Sequence, residues 1–265
     1  MSDFLHTMAT SSAERAATIA TFSSADFDKP VVPLQLSKFD VIAEIKDRSP
    51  AEGELASLGS DRGARAQAYA AGGAAAISVL TEPSRFDGAL EHLQEVVAAV
   101  PATPVMRKDF LIDPKQVLEA RKAGASGVLL IATMLADATL REMLDRAYEH
   151  DMFVLLESFD ESDLGRSAAL LDNNTDREHA DRGQLLIGVN TRNLRTLEVD
   201  SDRLQTLAPL LPAARCVAES GLRVASDAAR VAEWGYQLAL VGTALMRSEN
   251  PAALVADMRA AGASA

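Results

Sequence analysis

Eight short apolar runs, each followed by a longer segment of helical spacing, restrict the fold of this chain more than any other feature. The runs fall at 39–45, 75–80, 105–108, 127–131, 153–157, 185–190, 216–219 and 238–241. Most are aliphatic on both faces, which predicts strands buried on both sides, as in a parallel sheet covered by helices. The segments between them predict helices over 61–71, 88–100, 114–123, 136–150, 161–171, 201–210 and 225–234, with a last one over 251–261. Asp113 before Pro114 is a cap followed by a first-turn proline. Asp137 and Asp227 lie near first turns, and Gly72, Gly124 and Gly235 follow helix ends.

Strict alternation is compatible with an open doubly wound sheet or a closed (β/α)8 barrel. No GxGxxG follows the first run, which weighs against a dinucleotide-binding sheet, and eight units in a chain of this length match the barrel. The expectation is therefore one domain: a TIM barrel over 39–265 with an N-terminal extension over 1–38. Within the extension the Ala-rich stretch 12–20 predicts a short helix capped by Ser11 or Ser12, and 22–36, with Pro30 and Pro33, reads as irregular. The polar stretch DNNTDREHADRG, 172–183, reads as a solvated excursion on the face away from the C-terminal strand ends.

The 265 residues, 48% hydrophobic, suffice for one large core, and the net charge is −12 with a pI near 4.8. Such a surface repels nucleic acid and anionic membrane, so neither is expected as a partner. It does not exclude a small anionic substrate, because a local cluster can invert the field inside a cleft. No apolar run approaches the ~20 residues of a membrane span. The N-terminus lacks a basic stretch followed by an apolar one, so no secretory signal is expected. The one cysteine, Cys216, precludes an intrachain disulfide and reads as a small buried hydrophobe, in keeping with a cytoplasmic protein.

In a barrel of this kind the chemistry sits at the C-terminal strand ends. Residues two apart on a strand share a face. In VIAEIKDRSP, Glu44 and Lys46 therefore stand together at the end of the first strand. The third strand ends at Lys108, the fifth at Glu157, the sixth at Asn190 with Arg192 just beyond, and the seventh at Glu219 and Ser220. A purely structural barrel fills this layer with Val, Ile and Leu. Each polar residue alone could be an ion pair or a cap, but together they mark a site, since Lys and Glu are rarely buried unpaired. Two ends carry glycine, at Ser220-Gly221 and Gly242-Thr243, where backbone N–H groups can approach a phosphate. Pro50, Phe86, Phe110, Leu129, Ile131 and Leu194 add an apolar side to the mouth. The four histidines lie off the strand ends and there is no HExxH or CxxC, so no metal, no cofactor and no Ser–His triad is expected.

The stretches VIAEIKDRSP, SVLTEPSRFDG, VMRKDFLIDPKQVLEARKAGASGVLLIA, LLES, IGVNTRNLRTLEVD, VAESGL and LVGTALM run from about residue 40 to 247. In that order and spacing they resemble the indole-3-glycerol phosphate synthase family; RKDF-x-IDP-x-Q-x-x-EAR-x-AGA and GVN-x-RNL are especially specific. The resemblance implies a carboxy-lyase of tryptophan biosynthesis. Its substrate would be 1-(2-carboxyphenylamino)-1-deoxyribulose 5-phosphate, a phosphorylated small molecule, and its partners other enzymes of that pathway. It implies Lys108 as the acid in ring closure, Lys46 as a ligand of carboxylate or phosphate that can also serve as an acid, and Glu157 as the carboxylate of dehydration. Glu44 would orient Lys46. Asn190, Arg192, Glu219 and Ser220 would position the sugar and the carboxylate, and Gly221, Gly242 and Thr243 would hold the phosphate. The division of labour between the two lysines stays open.

Three departures stand out. Asp47 takes the place of a basic residue, and Ala51 and Glu52 replace the usual serine and lysine; Arg48 is placed to offset the added charge. The segment 1–38 lacks the family's basic helix pattern, so no residue is carried over there. Two rivals share the phosphate loops: a phosphosugar-amine isomerase, which usually wants a Cys or Asp acid–base pair, and a non-catalytic or specificity-altered paralogue.

Overall fold

The computed structural model describes residues 3–49, 53–55, 61–192, 198–200 and 202–265. Its first barrel strand pairs with its last. β1 (Asp40–Ile45) lies parallel to Leu238–Val241, with Val41 opposite Ala239, and on its other side to Ala76–Leu80. Taking strands in chain order, β2 is Ala76–Leu80, β3 Val105–Lys108, β4 Gly127–Ile131, β5 Phe153–Ser158, β6 Leu185–Asn190, β7 Arg215–Glu219 and β8 Leu238–Val241. Every neighbouring pair is parallel and the ring is closed, so the barrel has no open edge. All residues of β1, β2, β4, β5, β6 and β8 are buried, as two-sided apolar strands require. Cys216 is among the buried residues. Among the described residues no helix is long and apolar enough to cross a membrane.

Local signals set the helices. Asp61 accepts the Ala64 N–H to start Arg62–Ala71. Asp113 accepts the Lys115 N–H while the Gln116 side chain accepts the Asp113 N–H, a reciprocal cap for Pro114–Ala123, which ends at Gly124 with φ +100°. The expected helix over 88–100 runs as Leu90–Ala99, preceded by a single turn, Pro83–Phe86, whose N–H groups are held by Glu82. Arg203–Leu207 continues as a 3-10 turn, Ala208–Leu210.

Two expectations fail in instructive ways. The N-terminal helix is Asp3–Ala17, not 12–20, and Ser12 is not its cap. Leu5, Met8, Ser12 and Ala16 recur at helical spacing and are buried, and the Ser12 hydroxyl accepts from Gln116 Nε2 at 2.9 Å. Burial of that stripe fixes the helix start; each large apolar side chain contributes about 1.5–3 kcal/mol, more than Ala-rich propensity can. The polar stretch 172–183 is not a solvated loop. It contains the helix Asn174–Asp181, whose buried Asp176 accepts from Arg141 Nη1 at 2.6 Å and from the Tyr148 hydroxyl at 3.3 Å. His179 stacks on Tyr148 with ring centres 3.6 Å apart. Polar anchoring replaces the apolar face that sequence patterning looks for.

Candidate active site

Strand periodicity brings five charged residues to one end of the barrel. Glu44, near the end of β1, is 3% exposed and touches both lysines. Its Oε1 lies 2.6 Å from Lys46 Nζ and its Oε2 3.1 Å from Lys108 Nζ. Lys108 reaches across to Glu219 Oε2 at 3.4 Å. On the far side Asn190 Nδ2 donates to Glu157 Oε1 at 3.0 Å. Asn190 Oδ1 accepts from the Arg192 N–H at 2.8 Å and from the Ser220 hydroxyl at 2.9 Å, which fixes which end of the amide faces Glu157. Ser220 holds a left-handed backbone, φ 66°, rare for a residue with a side chain and a mark of local constraint.

The charges set one another's protonation. Burial alone would raise Glu44, but the ammonium groups of Lys108 and Lys46 reverse this and hold it at about 2. Burial alone would lower Lys108, yet Glu44, Glu219 and Glu157 around it raise it well above the usual lysine value, so it stays charged. Glu219 is fully buried, and desolvation together with the nearby Glu157 pushes it up to about 8. Glu157 is also raised by burial, although Lys108, Asn190 and a hydrogen bond with Glu219 pull it back. Two carboxylates in contact cannot both ionise cheaply, so at neutral pH this pair retains a proton.

A cavity of about 650 Å³ opens above these groups. Glu44, Lys46, Lys108, Glu157, Asn190 and Arg192 line it. So do Ser220, Gly221, Gly242 and Thr243, and, on the apolar side, Phe86, Phe110, Leu129 and Ile131. Glu219 does not line it; it sits below the floor. Pro50 and Leu194 lie outside the described residues, as do Ala51 and Glu52. Gly242 is bare for a reason unconnected with the backbone. A Cβ there would meet Glu44 Oε1 and come within 2.8 Å of Lys46 Nζ, so that ammonium lies at the glycine-bearing end of β8. Among the described residues no group of three His, Cys, Asp or Glu is arranged to hold a metal.

Several wall residues were not singled out from sequence. Phe4, on the N-terminal helix, lines the cavity and meets Phe110 edge to face, ring centres 5.8 Å apart. The same helix carries Arg15, whose two terminal nitrogens bind the Asp109 carboxylate at 2.7 and 2.8 Å. Asp109 is 1% exposed, also accepts from the Thr81 hydroxyl and Arg107, and is the residue after Lys108. The extension is thus clamped to the strand end that presents Lys108. Arg223 and Arg247 also line the cavity; the only signal for them is a basic residue shortly after each glycine, in SGLR and GTALMR. Asp47 does not add charge to the mouth: it is neutralised by Arg62, with His92 at 3.9 Å, and lies outside the cavity wall. Arg48 faces Asp87 at 3.7 Å, exposed, so Arg62 rather than Arg48 offsets that departure.

The barrel is shared widely. The chain is similar in structure to 3-hexulose-6-phosphate synthase from Salmonella typhimurium, with TM-score 0.63 and 16% identity, over 85% of this chain and 99% of that one. It is also similar to thiamine phosphate pyrophosphorylase from Pyrococcus furiosus, with TM-score 0.57 and 15% identity, over 86% and 96%. At such identities the likeness shows the fold alone. Sequence is more discriminating. The chain is 45% identical to indole-3-glycerol phosphate synthase of a Nocardioides species, over 88% of this chain and 86% of that protein. It is 44% identical to that of Mycobacterium leprae, over 84% and 77%. The family model described as indole-3-glycerol phosphate synthase matches residues 9–258, a span that takes in every charged side chain of the mouth as well as the clamp from Arg15 to Asp109, and the chain belongs to that family.

Proposed function

We propose that the barrel mouth closes the indole ring with Lys108 as proton donor, Lys46 as anion ligand and the Glu157–Glu219 pair as the acid–base group of dehydration. The overall reaction follows from the family: a carboxy-lyase of tryptophan biosynthesis converts 1-(2-carboxyphenylamino)-1-deoxyribulose 5-phosphate to indole-3-glycerol phosphate, carbon dioxide and water. The assignment of residues to steps follows the family resemblance, and the geometry of the mouth supports it.

In the first step the ring carbon bearing the carboxylate attacks the ketone carbon. A carbon–carbon bond forms, and the ketone oxygen becomes a hydroxyl by taking a proton. Lys108 suits this role because surrounding carboxylates keep it protonated and it lines the cavity. Loss of carbon dioxide then returns its bonding electrons to the ring and restores aromaticity. In the last step the hydroxyl leaves as water with one added proton, while the adjacent methylene of the new five-membered ring gives up another. Glu157 lines the cavity and shares a proton with Glu219 beneath it, so the pair can supply one proton and receive the other.

The observation that carries the division between the lysines is Gly242. Lys46 Nζ sits against that glycine, at the end of the barrel where Gly221, Gly242 and Thr243 offer backbone N–H groups to a phosphate. Lys108 instead sits between Glu44 and Glu219, toward the acid–base pair. Arg192 and Ser220 border the substrate's carboxylate and hydroxyls, and the apolar walls accept its aromatic ring. The chain is a single domain, 1–265, in which the N-terminal extension acts as a cap on the barrel over 39–265. A cytoplasmic setting beside other enzymes of the pathway belongs to the same proposal.

The test is direct: add the arylamino-deoxyribulose phosphate and follow indole fluorescence. Lys108→Ala should lower kcat by about 100-fold or more, the usual cost of removing a general acid. A near-normal kcat in that variant would take Lys108 out of the mechanism.

A further inference from the structure

Gly188 lies in the middle of β6, opposite Glu157 on β5 and Val217 on β7. It shares a face with Asn190, two residues on, so it faces the barrel interior. Its φ is not positive, so the backbone does not require glycine there. A bare α-carbon in a strand weakens it and leaves a gap where a barrel normally packs Val, Ile or Leu. The gap is filled by the Glu219 side chain. A Cβ on Gly188 would collide with Glu219 Oε1, with Glu219 Cδ at 3.2 Å and Leu155 Cδ1 at 3.1 Å.

That carboxylate has an unusual position. Oε2 reaches Lys108, whereas Oε1 is buried and, among the described residues, no N–H or hydroxyl donates to it. A buried acceptor without a donor is costly, and the cost is relieved if the carboxyl holds a proton that it shares with a neighbouring carboxylate. Glu157, which hydrogen-bonds with Glu219, is the neighbour able to exchange it.

We propose that Gly188 is a positioning residue for the reaction: its missing side chain makes the berth for the Glu219 carboxylate, which from below the cavity floor orients Lys108 and holds the proton that Glu157 uses. Gly188 touches no substrate and acts only through Glu219. The proposal rests on the roles given above to Lys108 and Glu157, and it extends them to a residue outside the cavity.

A methyl group at position 188 must push Glu219 out of its berth. Displacements of about 1 Å in such sites cost on the order of 100-fold in rate. Gly188→Ala should therefore lower kcat by about that factor, and the alkaline limb of its kcat–pH profile should move by a pH unit or more, because the carboxyl that holds the proton has left its surroundings. Thermal midpoints complete the test and need no turnover, so they probe the berth even if the roles of Lys108 and Glu157 are wrong. Gly188→Ala should lower the midpoint in the parent background and leave it nearly unchanged in a Glu219→Ala background, where the methyl has room. If Gly188→Ala does not fold, the double variant Gly188→Ala/Glu219→Ala should fold. An unmoved alkaline limb, an equal midpoint loss in both backgrounds, or a double variant that also fails to fold would each overturn the proposal.

Discussion

Replacing Glu44 by glutamine keeps the shape of the side chain and removes the charge that two ammonium groups share. Glu44 is held at about 2 against an ordinary value of 4.5, with Lys46 Nζ at 2.6 Å and Lys108 Nζ at 3.1 Å. At about 1.4 kcal/mol per pH unit, that gap favours the folded protein by about 3 kcal/mol at neutral pH. The amide can accept from one lysine through its oxygen, but its NH2 group then faces the other, so little is recovered. With an unfolding entropy of about 2 cal/mol/K per residue over 265 residues, the loss corresponds to a fall of about 6 °C in thermal midpoint. The pH dependence separates this cause from simple misfit. The folded value is depressed, so the stabilisation is complete above about pH 4.5 and is lost as pH falls toward 2. At pH 3 less than half should remain, and the midpoints of parent and Glu44→Gln, followed by circular dichroism, should converge between pH 7 and pH 3. A gap of the same size at both pH values would refute the reasoning, because a packing defect does not titrate.

Three further outcomes follow from the same contacts. Because Glu219 is pushed up to about 8, the Glu157–Glu219 pair loses its proton as pH rises through that region; kcat should fall on the alkaline side near pH 8, and the limb should vanish from the profile of Glu219→Gln. Arg15→Ala removes a two-pronged partner from buried Asp109 and should cost on the order of 2 kcal/mol, raise KM and expose the N-terminal helix to limited proteolysis; unchanged proteolysis would show that the clamp does not hold the helix down. Asp176→Ala leaves Arg141 without its buried carboxylate and should lower the thermal midpoint with kcat unchanged, since the contact lies outside the cavity wall.

The barrel was legible because a parallel strand buried on both faces leaves a pattern that little else produces, and because the signals bounding its helices are local. Asp113 and Gly124 act on backbone groups within a turn of themselves, and each does what its position in the sequence suggests. The N-terminal helix was not legible in its bounds. Leu5, Met8, Ser12 and Ala16 have a helical period, but the surface that gives the period its meaning includes Gln116, far along the chain. The helix over Asn174–Asp181 failed for the opposite reason: its anchors are a carboxylate and a stacked histidine, and polar anchors look like solvated loop until their partners are known.

At the site, the sequence exposed the charges at the strand ends, missed Arg223 and Arg247 beyond them, and concealed the residues that make room. Period two aligned Glu44 with Lys46 and brought Lys108, Glu157 and Asn190 to the same layer, so the groups facing the cavity could be named one by one. Gly188 and the structural side of Gly242 could not be, because a glycine's purpose there is the volume that another strand's side chain occupies, and register across a closed barrel decides which side chain that is. The same accounting explains how a chain of net charge −12 can receive a substrate bearing a carboxylate and a phosphate. Both oxygens of Glu44 are engaged by ammonium groups, Glu219 lies beneath the floor and retains a proton with Glu157, and Asp47 is neutralised by Arg62 outside the wall. With one charge left on the Glu157–Glu219 pair, Glu44 and that pair balance Lys46 and Lys108, so the strand ends carry no excess negative charge into a cavity that Arg192, Arg223 and Arg247 also line, even though the surface around it is acidic.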